Sequence, residues 1–466
     1  MPALNRPRAI FAAVVVVVTI VLRLAIVSSW YAPAGDGHQY YRLSQELLVQ
    51  GRFAYGPTPQ PLAWSRLPGY PVFLALIAVR KAPLGLDSHL VRATQANAIL
   101  DVMTAIVVVL LLRRRNARTL TQALAYLLVA ICPPLVFLSC YGLTESFATF
   151  LFVLQIALGL RVLDDERPLV WACLAGVVAG IGQLVRVDAL TAAPAVLIAI
   201  YAVKQTPRAR LLLLGAYAVA ALVTFSPWPL RNLVRFGALH WEGTEWLSQN
   251  GDPLPNGIMK WMRTWSGGEP GNAYTLLRVA NNASIDPQNP NMVSPRMYDS
   301  PEERKRLVDI VNRYNSEKLS PTVDRELSEL ASDRARAHPL RQNLILPAKR
   351  LWALWKPIPE YELPVRSHLL HLPALRNWYD NFLLLLFAAA IPGAIWLAYR
   401  DRLLALALLT PIVFRSIFHA RFAHPCPTQR YVAELMPLIM ILAAEFISNG
   451  YTWIATRLRS SRSVES

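Results

Sequence analysis

The feature that most constrains this chain is a series of apolar runs, each long enough to cross the roughly 30 Å hydrocarbon layer of a bilayer. The first reads "AAVVVVVTIVLRLAIVSSW" (12–30), and similar runs recur to the end of the sequence. Only 17% of the 466 residues are charged and the mean hydropathy is +0.32, whereas a soluble domain carries about 25% charged residues. These runs predict an all-α polytopic membrane protein with spans near 9–30, 94–112, 120–138, 145–161, 169–185, 189–203, 210–227, 379–398, 403–419 and 431–450. The first run is too long for a signal-peptide core and lacks a small-residue cleavage site, so it reads as a retained span.

The net charge of +17 would suit nucleic acid, but its distribution points elsewhere. Arginine and lysine gather in "NRPR" (5–8), "RRRNAR" (113–118), "RVLDDERP" (161–168), "KQTPRAR" (204–210), "YRDR" (399–402) and "RLRSSR" (457–462). Basic short loops face the cytoplasm. Placing all six there gives ten crossings with both termini inside. Cys132, Cys140, Cys173 and Cys426 form no CxxC pair, which argues against a zinc–thiolate site. Cys140 and Cys426 fall on one side and read as two free thiols rather than a bridge.

"PGYPVFLALIAVRK" (68–81) breaks this alternation. Counting it as a crossing would send "RRRNAR" to the wrong side, so it reads as a re-entrant helix buried by protein. Three parts follow: an N-terminal transmembrane module (1–227) with a first external loop (31–93), a mixed external domain (228–378), and C-terminal transmembrane helices (379–466). Within the external domain, "SPEERKRLVDIVNRY" and "SPTVDRELSELASDRARAHP" each open on a serine N-cap with proline at the first helical position.

In this topology several ionisable residues reach one level on the outer side. Asp36 follows the first span, with His38 two residues on, and Arg66 precedes the re-entrant helix beside Tyr70. Glu145 opens the fourth span. Arg186 and Asp188 occupy the turn between the fifth and sixth, Arg231 follows the seventh, and Arg430 opens the last. Charges at an apolar boundary are costly and face a cavity or one another. A carboxylate can take a proton from an attacking hydroxyl, and guanidiniums can hold a departing phosphate in two-pronged fashion. Arg23, inside the first span, should pair with a carboxylate in the bundle.

The order of "GDGHQYY", "RLPGYPVFLAL", "PPLVFLSCYGLTES", "LVRVDAL", "SPWPLRNLVRFG" and "RYVAELMPLIMILAAE" resembles the GT-C superfamily of integral membrane glycosyltransferases. The branch it is most similar to holds bacterial relatives of protein O-mannosyltransferases and of the lipid A aminoarabinose transferase. The resemblance implies that Asp36 is the first-loop acid and Glu145 the second acid, together the catalytic pair. It implies that Arg66 contacts a lipid phosphate, with Arg186 and Arg430 as further basic positions; Arg231, His38 and Tyr70 complete the substrate-binding candidates. The implied reaction moves a sugar from a polyprenyl-phosphate donor to an acceptor hydroxyl on a lipid, glycan or protein, with inversion. The setting would be a bacterial plasma membrane, with the site facing the periplasm or exterior and no nucleic acid partner.

This sequence has one acid where many relatives have Asp-Glu, which weakens any metal carry-over. No cofactor is assigned; Asp36, His38, Glu145 and one of His419 or His424 could together hold a divalent metal. Trp261, Trp265 and the aromatics of "RLWALWKP" (350–357) are either membrane-interface anchors or sugar platforms. Asn282-Ala283-Ser284 fits a glycosylation sequon. The rival function is a transporter or flippase for lipid-linked sugars, which the sequence disfavours by showing no inverted repeat. A non-catalytic role in envelope assembly is the third reading.

Overall fold

A computed structural model describes residues 6–29, 35–54, 66–78, 86–237, 239, 256–268, 283–289, 292–356, 373–423, 425–427 and 429–462. The described chain is helical, with no β-sheet. Helix α1 (Arg6–Ser29) is followed by α2 (Gly35–Gln50), α3 (Gly69–Ile77) and α4 (Leu86–Arg114). Then come α5 (Thr119–Ala130), α6 (Pro133–Ser139), α7 (Glu145–Arg161), α8 (Pro168–Val185), α9 (Ala193–Ala202) and α10 (Pro207–Phe225). The short helices α11 (Pro227–Phe236) and α12 (Gly257–Met262) lead to the hydrophilic pair α13 (Pro301–Glu317) and α14 (Pro321–Ala337). Last are α15 (Leu346–Trp355), α16 (Pro373–Arg400), α17 (Arg402–Arg421) and α18 (Met436–Arg462).

Seven described helices are long and apolar enough to cross a membrane, and an eighth crossing forms if α5 and α6 act as one span. These two meet at a 42° bend, where Pro133 and Pro134 deprive the chain of two backbone donors. α7, at 17 residues, and the apolar segment Val187–Ala202 are shorter; with them the ten expected segments are all present as helices. Buried residues make up 83% of the apolar stretch of the last span but only 11% of that of α1. α1 therefore sits at the rim of the bundle, and α18 runs through its middle.

Small residues set the closest helix approach. Gly176 and Gly180 lie one turn apart on α8, and a Cβ at either would fall within 2.6 Å of an α10 carbonyl oxygen, that of Tyr217 or Ala221. Backbones this close gain dispersion contacts, which is what drives helix association where no water remains to be expelled. At the rim, Arg23 pairs with Asp101 of α4 and both are buried, as expected of a charge inside a span.

The basic loops collect at one end of the bundle. Arg115 pairs with Asp401 at 2.8 Å and Asp164 at 3.1 Å, Arg400 pairs with Glu445 at 2.7 Å, and Arg118 donates to Asn449 at 2.8 Å. At the other end, α12–α14 form a lobe with its own core, in which Trp261, Trp265, Leu307, Ile310 and Leu327 meet Cys426. Ser300 and Ser320 cap α13 and α14 by accepting from Glu303 and Val323 N–H groups at 3.1 and 3.2 Å. Arg350 of α15 hooks the lobe to α17: it donates to the carbonyls of Ser266, Arg263 and Ala420.

The two tryptophans of "WMRTW" are lobe core, stacked edge to face at 5.3 Å. Their burial leaves no face for a sugar or a bilayer, because an α13–α14 pair too polar to close its own core needs their bulk. α15 packs along α17, with Trp355 donating to Ser416 at 3.1 Å, while Trp352 is exposed. Cys140 and Cys426 are both free. Asn282 and His424 lie outside the described residues.

Candidate active site

α3 is nine residues long, about 14 Å at 1.5 Å per residue, and cannot span. It dips into the bundle beside α8, where Gly69 presses on the Leu184 backbone; a Cβ there would lie 2.7 Å from that carbonyl carbon. This contact fixes the segment that carries Arg66. α3 is also held by Tyr70, whose hydroxyl accepts from Asn97 of α4 at 3.1 Å and whose ring meets Tyr40 of α2 edge to face. Tyr70 is fully buried.

Five segments deliver charge to one place. Arg66 donates to Asp36 at 2.8 Å and to Gln39 at 3.0 Å. Arg430, in the 3₁₀ turn Gln429–Leu435, reaches the other Asp36 oxygen at 3.3 Å and also pairs with Glu145 at the start of α7. One guanidinium thus spans the two carboxylates that the sequence placed more than a hundred residues apart. Arg186, at the end of α8, donates to the same Glu145 oxygen at 3.1 Å and to Thr144 at 3.3 Å.

Behind this front layer is a second, enclosed one. Arg186 pairs with Asp188 at 3.1 Å and Glu434 at 3.2 Å. Arg415 of α17, wholly buried, pairs with Asp188 at 2.9 Å and Glu434 at 2.7 Å, and His419 lies 3.0 Å from Asp188. Four carboxylates (36, 145, 188, 434) therefore meet four guanidiniums (66, 186, 415, 430) in one continuous network. Burying so much charge is tolerable only because every carboxylate in it lies within ion-pair distance of a guanidinium.

Exposure divides the network by task. The side chains of Asp36, Arg430 and Arg66 keep 31%, 28% and 16% of their surface open, while Glu145, Arg415 and Glu434 are closed off. Burial pushes the Asp36 carboxyl up, but the charges of Arg66 and Arg430 and the bonds they donate outweigh it, and the group is held below the usual aspartate range. Asp36 is an ionised acceptor at the mouth of the network.

Of the sequence candidates, Asp36, Arg66, Glu145, Arg186 and Arg430 converge. His38 is half-buried on α2 near Asp36. Arg231 lies over the Phe53, Trp228 and Phe236 rings and donates to Asn232 at 2.8 Å. Arg415 and Glu434 escaped sequence reading, being counted as span and span margin. An arginine within "LLTPIVFRSIFHA" and the acid of "RYVAEL" were the signals. Among the described residues no group of three His, Cys, Asp or Glu is placed to hold a metal ion. Arg430 fills the gap between Asp36 and Glu145, so the donor set as arranged does not suit a cation.

Residues 71–230 match the model of the dolichyl-phosphate-mannose-protein mannosyltransferase family. The match takes in α4 to α10 with Glu145, Arg186 and Asp188, about a third of the chain. Over that stretch the chain is similar to these mannosyltransferases. No curated protein matches it in sequence. Among solved structures, this chain is similar to ArnT from Cupriavidus metallidurans bound to undecaprenyl phosphate, at 15% identity and a TM-score of 0.42, covering 96% of this chain and 78% of that one. It is also similar to the archaeal oligosaccharyltransferase AglB from Archaeoglobus fulgidus, in complex with an inhibitory peptide and a dolichol-phosphate, at 14% identity and a TM-score of 0.46. That match covers 98% of this chain, which spans about half of AglB, 52%. By its apolar helices the chain is a multi-pass membrane protein, and its charged network lies at one end of the bundle.

Proposed function

We propose that this chain is a glycosyltransferase that moves a sugar from a polyprenyl-phosphate-linked donor to an acceptor hydroxyl at the outer face of a bacterial plasma membrane. The observation that carries the reading is the clamp of Asp36 and Glu145 by Arg430, with Arg66 alongside, at the bundle end opposite the basic loops. Those loops face the cytoplasm by the positive-inside rule, which puts the clamp outside.

The reaction would be one in-line displacement. The acceptor oxygen bonds to the anomeric carbon as the bond from that carbon to the phosphate oxygen breaks, through an oxocarbenium-like state, and the configuration inverts. Polyprenyl phosphate departs with the bonding electrons against Arg66 and Arg430, the two guanidiniums of the open layer. The acceptor proton goes to Asp36. Because its basicity is lowered, Asp36 first orients the hydroxyl as a hydrogen-bond acceptor. It takes the proton once the new bond has made the oxygen strongly acidic. Glu145 acts through others, as a positioning residue for Arg430 and Arg186, and the Asp188–Arg415–Glu434 layer holds Arg186 in turn.

The test is sugar transfer from a polyprenyl-phosphate sugar by protein purified in detergent. Asp36→Asn should lower turnover by about a thousandfold or more, general-base and orienting losses combined, while donor binding is kept. Movement of lipid without transfer would replace the enzyme by a flippase, and full activity of Asp36→Asn would remove Asp36 from the reaction.

A further inference from the structure

We propose that the buried pair Arg23–Asp101 is a positioning device for the proposed transfer, setting where Asp36 stands relative to Glu145; this rests on the glycosyltransferase reading above. Four observations carry it. Arg23 lies six residues before the end of α1, about 9 Å along the axis, on the helix that leads to Asp36. α1 is otherwise turned mostly outward, so its place along the bundle has few other fixed points. The two side chains are 2% and 1% exposed, and their ion pair ties α1 to α4.

Asp101 also reaches the helix on the far side of the site. α4 packs along α7 there, and Ser146, the neighbour of Glu145, lies near the Asp101 carboxylate with its hydroxyl buried and not hydrogen-bonded. Asp101 therefore pairs with α1 and faces α7, the helix that opens with Glu145. A turn away on α4, Asn97 donates to Leu143 at 3.0 Å and to Tyr70 at 3.1 Å. Tyr70 packs on Tyr40, one turn along α2 from Asp36. α4 thus presents a polar edge against which the parts bearing Asp36, Arg66 and Glu145 are aligned. Neither Arg23 nor Asp101 belongs to the network that contains Asp36.

Such a device controls geometry rather than affinity, and misplacement of reacting groups by about 1 Å can cost up to a hundredfold in rate. The experiment compares Asp101→Asn, the milder Ser146→Ala, and the exchanged pair Arg23→Asp with Asp101→Arg. Turnover per folded molecule and KM for a polyprenyl-phosphate sugar are measured. The distance between nitroxide labels on Gln50→Cys and Glu166→Cys, exposed sites at the end of α2 and in the loop after α7, is recorded in parallel. Asp101→Asn should lower kcat by about tenfold or more with KM changed less than about twofold, and shift or broaden the label distance. The exchanged pair should restore both, and Ser146→Ala should show the same pattern more weakly, even where Asp101→Asn folds poorly. Unchanged kcat and an unchanged distance in Asp101→Asn would overturn the proposal, as would lost stability with kcat per folded molecule intact. If the unaltered protein transfers no sugar, the glycosyltransferase reading fails, and the label distances still decide whether the pair sets the alignment.

Discussion

Asp36 is the residue on which the chemistry turns, and its electrostatic setting has a signed consequence. Its carboxyl is held below the usual range by Arg66 and Arg430 against the opposing effect of burial. The ionised form that orients an acceptor is therefore present at neutral pH and lost only as pH falls through the lowered value. The acid limb of kcat/KM should lie below the aspartate reference of 3.8. Arg430→Gln removes one favourable charge and should move that limb to higher pH as well as lowering the plateau; a pH–rate profile of both proteins checks this. A limb that stays in place would mean that the titrating group is not Asp36. At this scale the sequence was legible where a charge followed or opened a span, as at 36, 66, 145, 186 and 430. It was not legible at Arg415 and Glu434, because an ion pair formed between distant helices leaves no local pattern: Arg415 looks like a lone charge in an apolar run until Asp188 is folded against it. Arg23 posed the same problem, and there only the existence of a partner could be inferred, not that it was Asp101.

Among elements, α3 shows how a helix too short to span can still be placed with accuracy. Its proline-flanked start and its disagreement with the charge alternation were enough to call it re-entrant. What holds it could not be read: Gly69 matters because the Leu184 backbone happens to pass beneath it. Gly69→Val should force α3 away from α8, carry Arg66 off Asp36 and lower kcat by about tenfold or more. Gly215→Ala, on α10 with open space around it, should leave turnover unchanged and stabilise the helix by up to about 1 kcal/mol. Transfer assays with thermal melts of the two variants separate these effects. The serine caps of α13 and α14 were visible in sequence because capping is local. That Trp261 and Trp265 serve the lobe core was not, since an aromatic beside a span looks the same whether it meets lipid, sugar or another tryptophan.

For the molecule as a whole, the exposed girth of α1 ties the site to the surrounding lipid. A helix that borders hydrocarbon on most of its surface bears the load when the bilayer and its apolar length disagree, and it answers by tilting or sliding. Here α2, whose first turn holds Asp36, follows that helix in sequence, and a buried ion pair joins the packing of Val27 and Ala98 in fastening it to α4. Reconstitution into bilayers of progressively shorter acyl chains should therefore reduce kcat, and Asp101→Asn should steepen the decline; equal slopes for the two proteins would show that α1 does not transmit the strain. The thickness of the host membrane then becomes a setting of the reaction, acting from outside on a catalytic carboxylate it never touches.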